Sequence, residues 1–176
     1  MKKKKEKMNQ DLVDSLIQQW SIERPDLNAS AMGVVGRILR LAAGLQRRGE
    51  ESLAPFNLSM WQFDVLATLR RAGAPFRLSP TQLMRAVMLT SGAMTNRLDR
   101  LETAALLRRE PDPADRRGLQ IVLTSQGLEL VDLAIVARLQ DAQGVVQLLT
   151  QKERQSLEPV LRKLLGEIEM NVGKGE

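Results

Sequence analysis

A mainly α-helical fold carrying one short β-hairpin is what this chain predicts, and three observations predict it. Apolar residues recur about one turn apart in successive segments, most of them opened by a capping residue. Two short strand-like runs, residues 106–110 and 120–123, are joined through PDPADRRG, whose prolines and glycine mark an exposed turn. The composition, 43% hydrophobic and 27% charged over 176 residues, is that of a globular chain; with 3% aromatics, its core must be mostly Leu, Val, Ile, Ala and Met.

Taken in order, residues 1–10 read as a flexible basic tail. Residues 11–20 follow a helical pattern with Leu12, Leu16, Ile17 and Trp20 on one side. SIERPDLNAS breaks it, because Pro25 disfavours α geometry at Arg24. Ser30 is placed to cap the next helix, which runs to about residue 50 with Met32, Val35, Ile38, Leu39, Ala42 and Leu45 apolar. Residues 53–58 read as a loop. Ser59 and Gln62 have capping-box spacing and open a helix to about residue 71. Gly73, Ala74 and Pro75 turn the chain, and residues 76–78 suit a short strand. Ser79, Pro80 and Gln82 repeat the start signal for a short helix ending near Met88.

Thr90 or Ser91 then opens a helix over residues 91–104. Met94, Leu98, Leu101 and Ala105 form its apolar side; Ser91, Thr95, Asn96, Asp99 and Arg100 form its polar side. Two helices joined by a tight turn, the second polar-faced, is helix-turn-helix grammar. A helix fits the major groove of DNA, and short polar side chains near its start reach base edges. An arginine on a thin hairpin suits the narrow, electronegative minor groove. After the hairpin, Thr124 caps a long helix to about residue 149, and Thr150 with Glu153 opens a last one to about residue 172. At ~1.5 Å per residue each is roughly 30–36 Å long, more than one small domain readily covers. These two helices, with those from residues 11 and 31, are read as a dimerisation layer; a monomeric all-α bundle is the alternative.

Charge and residue usage narrow the function. The net charge is +5, of which the lysine tail supplies +4. Between Arg70 and Gln120 stand ten arginines and five acids, leaving the remainder at about −4. A basic central segment on a neutral-to-acidic body suits a nucleic-acid-binding face. With no Cys and no His, disulfides, thiol chemistry and serine–histidine catalysis are excluded, and a zinc site is improbable. No metal or bound cofactor is expected, and an enzyme working through carboxylates has no paired acids to support it. No apolar run approaches ~18 residues, and none follows the lysine tail, so neither a membrane span nor a secretory signal is expected and the chain reads as cytoplasmic.

The order helix, helix-turn-helix, basic hairpin, two long helices resembles the MarR family of winged-helix transcription regulators. TSGAMTNRLDRLE, LLRREPDPADRRG and LTSQG carry the resemblance, over about residues 34–165. It implies one domain over residues 11–176, with a winged helix-turn-helix at about 53–124, dimerisation helices at about 11–52 and 125–172, and an extra N-terminal helix. It also implies an obligate homodimer on a palindromic operator, half-sites about one helical turn (~34 Å) apart. Ser91, Thr95, Asn96 and Arg97 then fall on the groove-facing part of the recognition helix. Arg117 falls on the arginine that enters the minor groove, Asp115 on the acid that holds it, and Arg116 meets the phosphate backbone. For Thr95 and Asn96 plain solvent exposure is the other reading, and for Asp115 a turn-forming role.

WSIERPDLNAS, together with FDVLATLRRAGAPFRLSP, is similar to the urate-responsive, HucR/PecS-like subgroup of that family. The resemblance places the subgroup's tryptophan, aspartate and two arginines at Trp20, Asp64, Arg97 and Arg109. One departure is Asn28, where the subgroup implies an acid. The chemistry is coherent: urate is a flat monoanion, an indole offers a stacking face, and an arginine offers a fixed-charge fork. Asp64 lies among Met60, Trp61, Phe63, Val65 and Leu66 and is expected to be part-buried, needing a cation that Arg97 or Arg109 would supply. Trp20 as plain core and Asp64 in a purely structural ion pair remain alternatives. The function implied is a repressor released by urate or a related purine; a regulator answering a phenolic or other aromatic acid, or an effector-independent DNA-binding protein, are the competing readings.

Overall fold

The computed structural model describes residues 10–87, 91–113, 115 and 118–172. Residues 1–9 of the basic tail, Met88, Thr90, Arg116 and Arg117 lie outside the described residues. The chain divides into two compact units, residues 1–51 and 52–176.

In the first unit, Asp11 caps helix α1 (Leu12–Glu23), accepting from the backbone N–H groups of Val13 (2.8 Å) and Asp14 (3.1 Å). Asp14 completes the box by accepting from the Asp11 N–H at 3.0 Å. The helix runs three residues beyond the expected end at residue 20. The reason is that Pro25 constrains only the residue before it, so Ser21, Ile22 and Glu23 stay helical and Arg24 is the C-cap. Helix α2 (Met32–Leu53) starts one residue later than a Ser30 cap would put it; the Asn28 side chain instead accepts from the Ser30 N–H at 2.9 Å. Arg37 of α2 holds α1 through Asp11 (2.8 Å) and Asp14 (2.7 Å). The helices approach closely at Gly36, where an added Cβ would sit 3.2 Å from Val13. Val13 is buried, while Leu12, Leu16 and Trp20, expected on one side of the helix, are exposed on the single chain.

In the second unit, residues expected to form a plain loop contain a 3-10 turn, Ala54–Phe56, closed by Asn57 in the left-handed region at φ 52°. Helix α3 (Met60–Arg71) opens where Gln62 accepts from the Ser59 N–H at 2.9 Å. Gly73, at φ 79°, turns the chain into strand β1 (Arg77–Leu78). Ser79 and Gln82 bond reciprocally (2.9 and 3.2 Å) at the start of helix α4 (Pro80–Val87). Helix α5 (Ser91–Thr103) follows, then strands β2 (Leu107–Pro111) and β3 (Leu119–Leu123). The antiparallel sheet has the order β1-β3-β2, with Arg109 opposite Ile121 and Arg77 opposite Val122. Two long helices close the chain, α6 (Ser125–Val146) and α7 (Gln151–Val172), the latter carrying Pro159 internally.

The core of this unit is aliphatic, as the scarcity of aromatics requires. Val65, Leu66 and Leu69 of α3, Leu83 of α4, Met94, Leu98 and Leu101 of α5, Leu107 and Ile121 of the sheet, and Val131 and Ala134 of α6 are all buried. Ala105, expected on the apolar side of α5, instead lies past its end at φ 56° and is exposed: the chain must reverse there to enter the hairpin. Thr124 fastens the far side of the hairpin. Its hydroxyl donates to the Ala105 carbonyl (2.7 Å) and accepts from the Gly127 N–H (2.9 Å). Gly127 has to be glycine, because a Cβ there would lie 1.9 Å from the Leu106 carbonyl oxygen.

Candidate nucleic-acid interface and anion site

Helix α5 is seated by one face and presents the other. Met94, Leu98 and Leu101 anchor it in the core, so Thr95 and Asn96, one and two positions past Met94, face solvent, and Arg97 is half-buried. Ser91 is the first residue of this helix. The hairpin tip is shaped by backbone bonds: the Asp112 N–H donates to the Gly118 carbonyl (2.9 Å) and the Gly118 N–H to the Asp115 carbonyl (2.9 Å). A Cβ at Gly118 would come within 2.9 Å of the Asp112 Cβ, so the turn needs glycine. Asp115 is exposed on that tip.

The base of the hairpin is tied to α5. The Arg109 N–H donates to Glu102 Oε1 at 2.9 Å, its guanidinium pairs with the other Glu102 oxygen, and Nη2 donates to Asp99 Oδ1 at 2.7 Å. Burial pulls the Arg109 guanidinium pKa down, but the bonds to Asp99 and Glu102 outweigh it and hold it above its ordinary value. The partnership of Glu102 and Asp99 with Arg109 was not anticipated from sequence. The available signal was two acids one turn apart on a helix, seven and ten residues before an arginine across a tight turn.

Asp64, on α3, is exposed on the single chain rather than part-buried, and stands just ahead of the buried run from Val65 to Leu69. The surrounding protein still desolvates it and raises its carboxyl pKa, against the pull of Arg71, Arg138 and Arg97 in that order. Among the described residues none donates a hydrogen bond to it. Of the two arginines expected to offset its charge, Arg97 does so, while Arg109 is held by Asp99 and Glu102. Arg97 also lies over the Trp61 ring, 5.3 Å from its centroid. Trp20 belongs to the first unit, where it is 52% exposed.

Residues 56–118 match the model of the MarR family. Beyond that segment, the chain is 37% identical over 160 residues to the HTH-type transcriptional regulator PecS of Dickeya dadantii, covering 91% of this chain and 94% of that protein. The chain belongs to the MarR family. It is also 33% identical over 114 residues to the multiple antibiotic resistance protein MarR of Salmonella typhimurium, covering 64% of this chain and 77% of that one. Among solved structures it resembles AbsC, a MarR family transcriptional regulator from Streptomyces coelicolor (TM-score 0.73, 26% identity, 81% and 97% coverage). It likewise resembles a mutant MarR from E. coli complexed with operator DNA (TM-score 0.66, 26% identity, 89% and 99% coverage). The relatives and the fold are those of transcription regulators and not of enzymes. Among the described residues no helix is long and apolar enough to cross a membrane. In MarR-family terms α4 and α5 are the helix-turn-helix, α5 the recognition helix and β2–β3 the wing.

Proposed function

We propose that this MarR-family chain acts as a homodimeric repressor that occupies a palindromic operator and releases it when urate or a related purine anion binds. Ser91, Thr95, Asn96 and Arg97 read the major groove, Arg117 enters the minor groove, Asp115 orients it and Arg116 meets phosphate. Trp20, Asp64, Arg97 and Arg109 receive the anion.

One observation carries the effector half of the reading: Arg97 sits on the recognition helix and also offsets the charge of Asp64 on α3. An anion arriving beside Asp64 competes for that arginine and so bears directly on the element that reads DNA. Coupling of this kind is typically about 1–3 kcal/mol, roughly a 5–150-fold change in operator affinity. The likeness to PecS over nearly the whole chain, and to E. coli MarR in its operator complex, supports the DNA-binding half. The second copy is supported by the apolar residues left on the surface of α7, namely Leu157, Val160, Leu161, Leu164, Leu165 and Ile168, which form a stripe at helical spacing.

The test is calorimetry with urate, xanthine and salicylate on the wild type and on Trp20→Ala, beside gel shifts on an inverted-repeat duplex and its scramble. Urate is expected to bind best, to lose affinity in Trp20→Ala, and to release the inverted repeat. Salicylate binding as well as urate transfers the reading to an aromatic-acid regulator. Operator binding insensitive to every ligand leaves an effector-independent DNA-binding protein.

A further inference from the structure

The three guanidiniums about Asp64 are short of acceptors. An arginine offers five N–H donors. Among the described residues Arg71 gives one to the Thr68 hydroxyl (2.9 Å), and Arg138 gives one to Asp141 (2.9 Å). Arg97 lies against the Trp61 ring instead. The Arg138 side chain is only 20% exposed, and its buried Nε–H meets no acceptor among the described residues. Burying such a donor unmet is costly, so the position favours any oxygen that reaches it. Three guanidiniums, of Arg71, Arg138 and Arg97, act on the single carboxylate of Asp64, while Arg138 also pairs with Asp141. Such a surplus of cations about one carboxylate favours an incoming anion.

We infer that Arg138 of α6 and Arg71 at the end of α3 are the anchors for the negative charge of a small planar, oxygen-bearing monoanion, with Trp61 as the apolar wall under Arg97. This rests on the effector reading above and adds three residues to it. Arg138 is the fixed part of the site, held by Asp141 and by its own burial, whereas Arg71 is exposed and Arg97 rests on Trp61, so these two adjust around the ligand. A planar fork fixed at one edge leaves its other donors pre-aimed, the arrangement that recognises a flat oxyanion most selectively.

The experiment is calorimetry with urate on the wild type, Arg138→Gln, Arg138→Lys and Arg71→Gln, with operator gel shifts on the same preparations. Arg138→Gln is expected to weaken urate binding at least 10-fold and Arg71→Gln at least 3-fold, while operator affinity without urate stays within about 3-fold. Arg138→Lys, which keeps the charge without the fork, falls between Arg138→Gln and wild type. If wild type binds urate and all three variants bind it equally well, this inference is overturned and the effector reading stands. If wild type takes up no urate, both fall together. Loss of operator binding in both Arg138 variants makes the residue a structural partner of Asp141 alone and overturns its role as an anchor.

Discussion

Asp64 shows how much one carboxylate decides. Its pKa is raised in the folded chain because desolvation outweighs three nearby arginines. A raised carboxylate means the fold binds the proton more tightly than the unfolded chain does. Its contribution to stability is therefore complete below the ordinary value of 3.8 and is lost as pH rises through the higher folded value. At neutral pH the charged form weighs against the fold. Asp64→Asn should accordingly raise the melting temperature at pH 7 and leave it nearly unchanged well below pH 3.8, as read by thermal melts across pH. The same variant should blunt the urate response more than operator affinity; the opposite outcome makes Asp64 a structural charge. Asn96 makes the complementary case. Exposed on α5, it contributes nothing to the core, so Asn96→Ala should leave stability alone and cost about 1–3 kcal/mol of base discrimination at one operator position. A binding-site selection read by sequencing checks it, and equal loss on all sequences would mark a backbone contact.

At the scale of elements, the wing is held at both feet. Glu102 and Asp99 take Arg109 at one, and Thr124 with Gly127 locks the other. Glu102→Gln keeps the length of the side chain but loses its charge, and should weaken operator binding about 5-fold, from roughly 1 kcal/mol of charge-assisted bonding, by gel shift at fixed salt. Gly127→Ala is more severe, because the Leu106 carbonyl cannot retreat without pulling on the sheet: about 1–3 kcal/mol in denaturant unfolding. These feet also mark what was legible in sequence. The starts of α3, α4, α6 and α7 and the extents of β2 and β3 came close to expectation, because caps and turns are local signals spanning three or four residues. The end of α1, the 3-10 turn before α3 and the conformation of Ala105 did not, since each is settled by which way the chain must leave an element. The Arg109 clamp and the place of Arg138 beside Asp64 were out of reach for a further reason. They depend on the hairpin folding back on α5 and on α6 packing against α3, and no spacing along the chain encodes either.

For the whole molecule, the largest fact is how much apolar surface a single copy leaves uncovered. Leucines, valines and isoleucines of α1, α2, α6 and α7 stand open to water, while the buried core is nearly all in residues 53–134. An apolar stripe at helical spacing on α7 calls for a partner helix. Leu161→Asp, in the middle of that stripe, should shift the chain from dimer to monomer in light scattering. Operator affinity should fall in parallel, because one half-site carries roughly half the contacts. A variant that stays dimeric moves the interface to another face. The charge distribution suits the proposed assembly: the arginines concentrate in the middle of the sequence, the part proposed to meet DNA, and the apolar helices outside it are the part proposed to meet another copy.

The seat of Arg97 on Trp61 has a practical side. The chain contains two indoles and no tyrosine, so its near-ultraviolet emission comes almost wholly from Trp20 and Trp61. A guanidinium resting on one of them ties that emission to the posture of α5. Any shift that draws Arg97 off the ring changes the colour or brightness of Trp61. The regulator thus carries an unlabelled optical gauge of its own reading head, one that a Trp20→Phe background isolates.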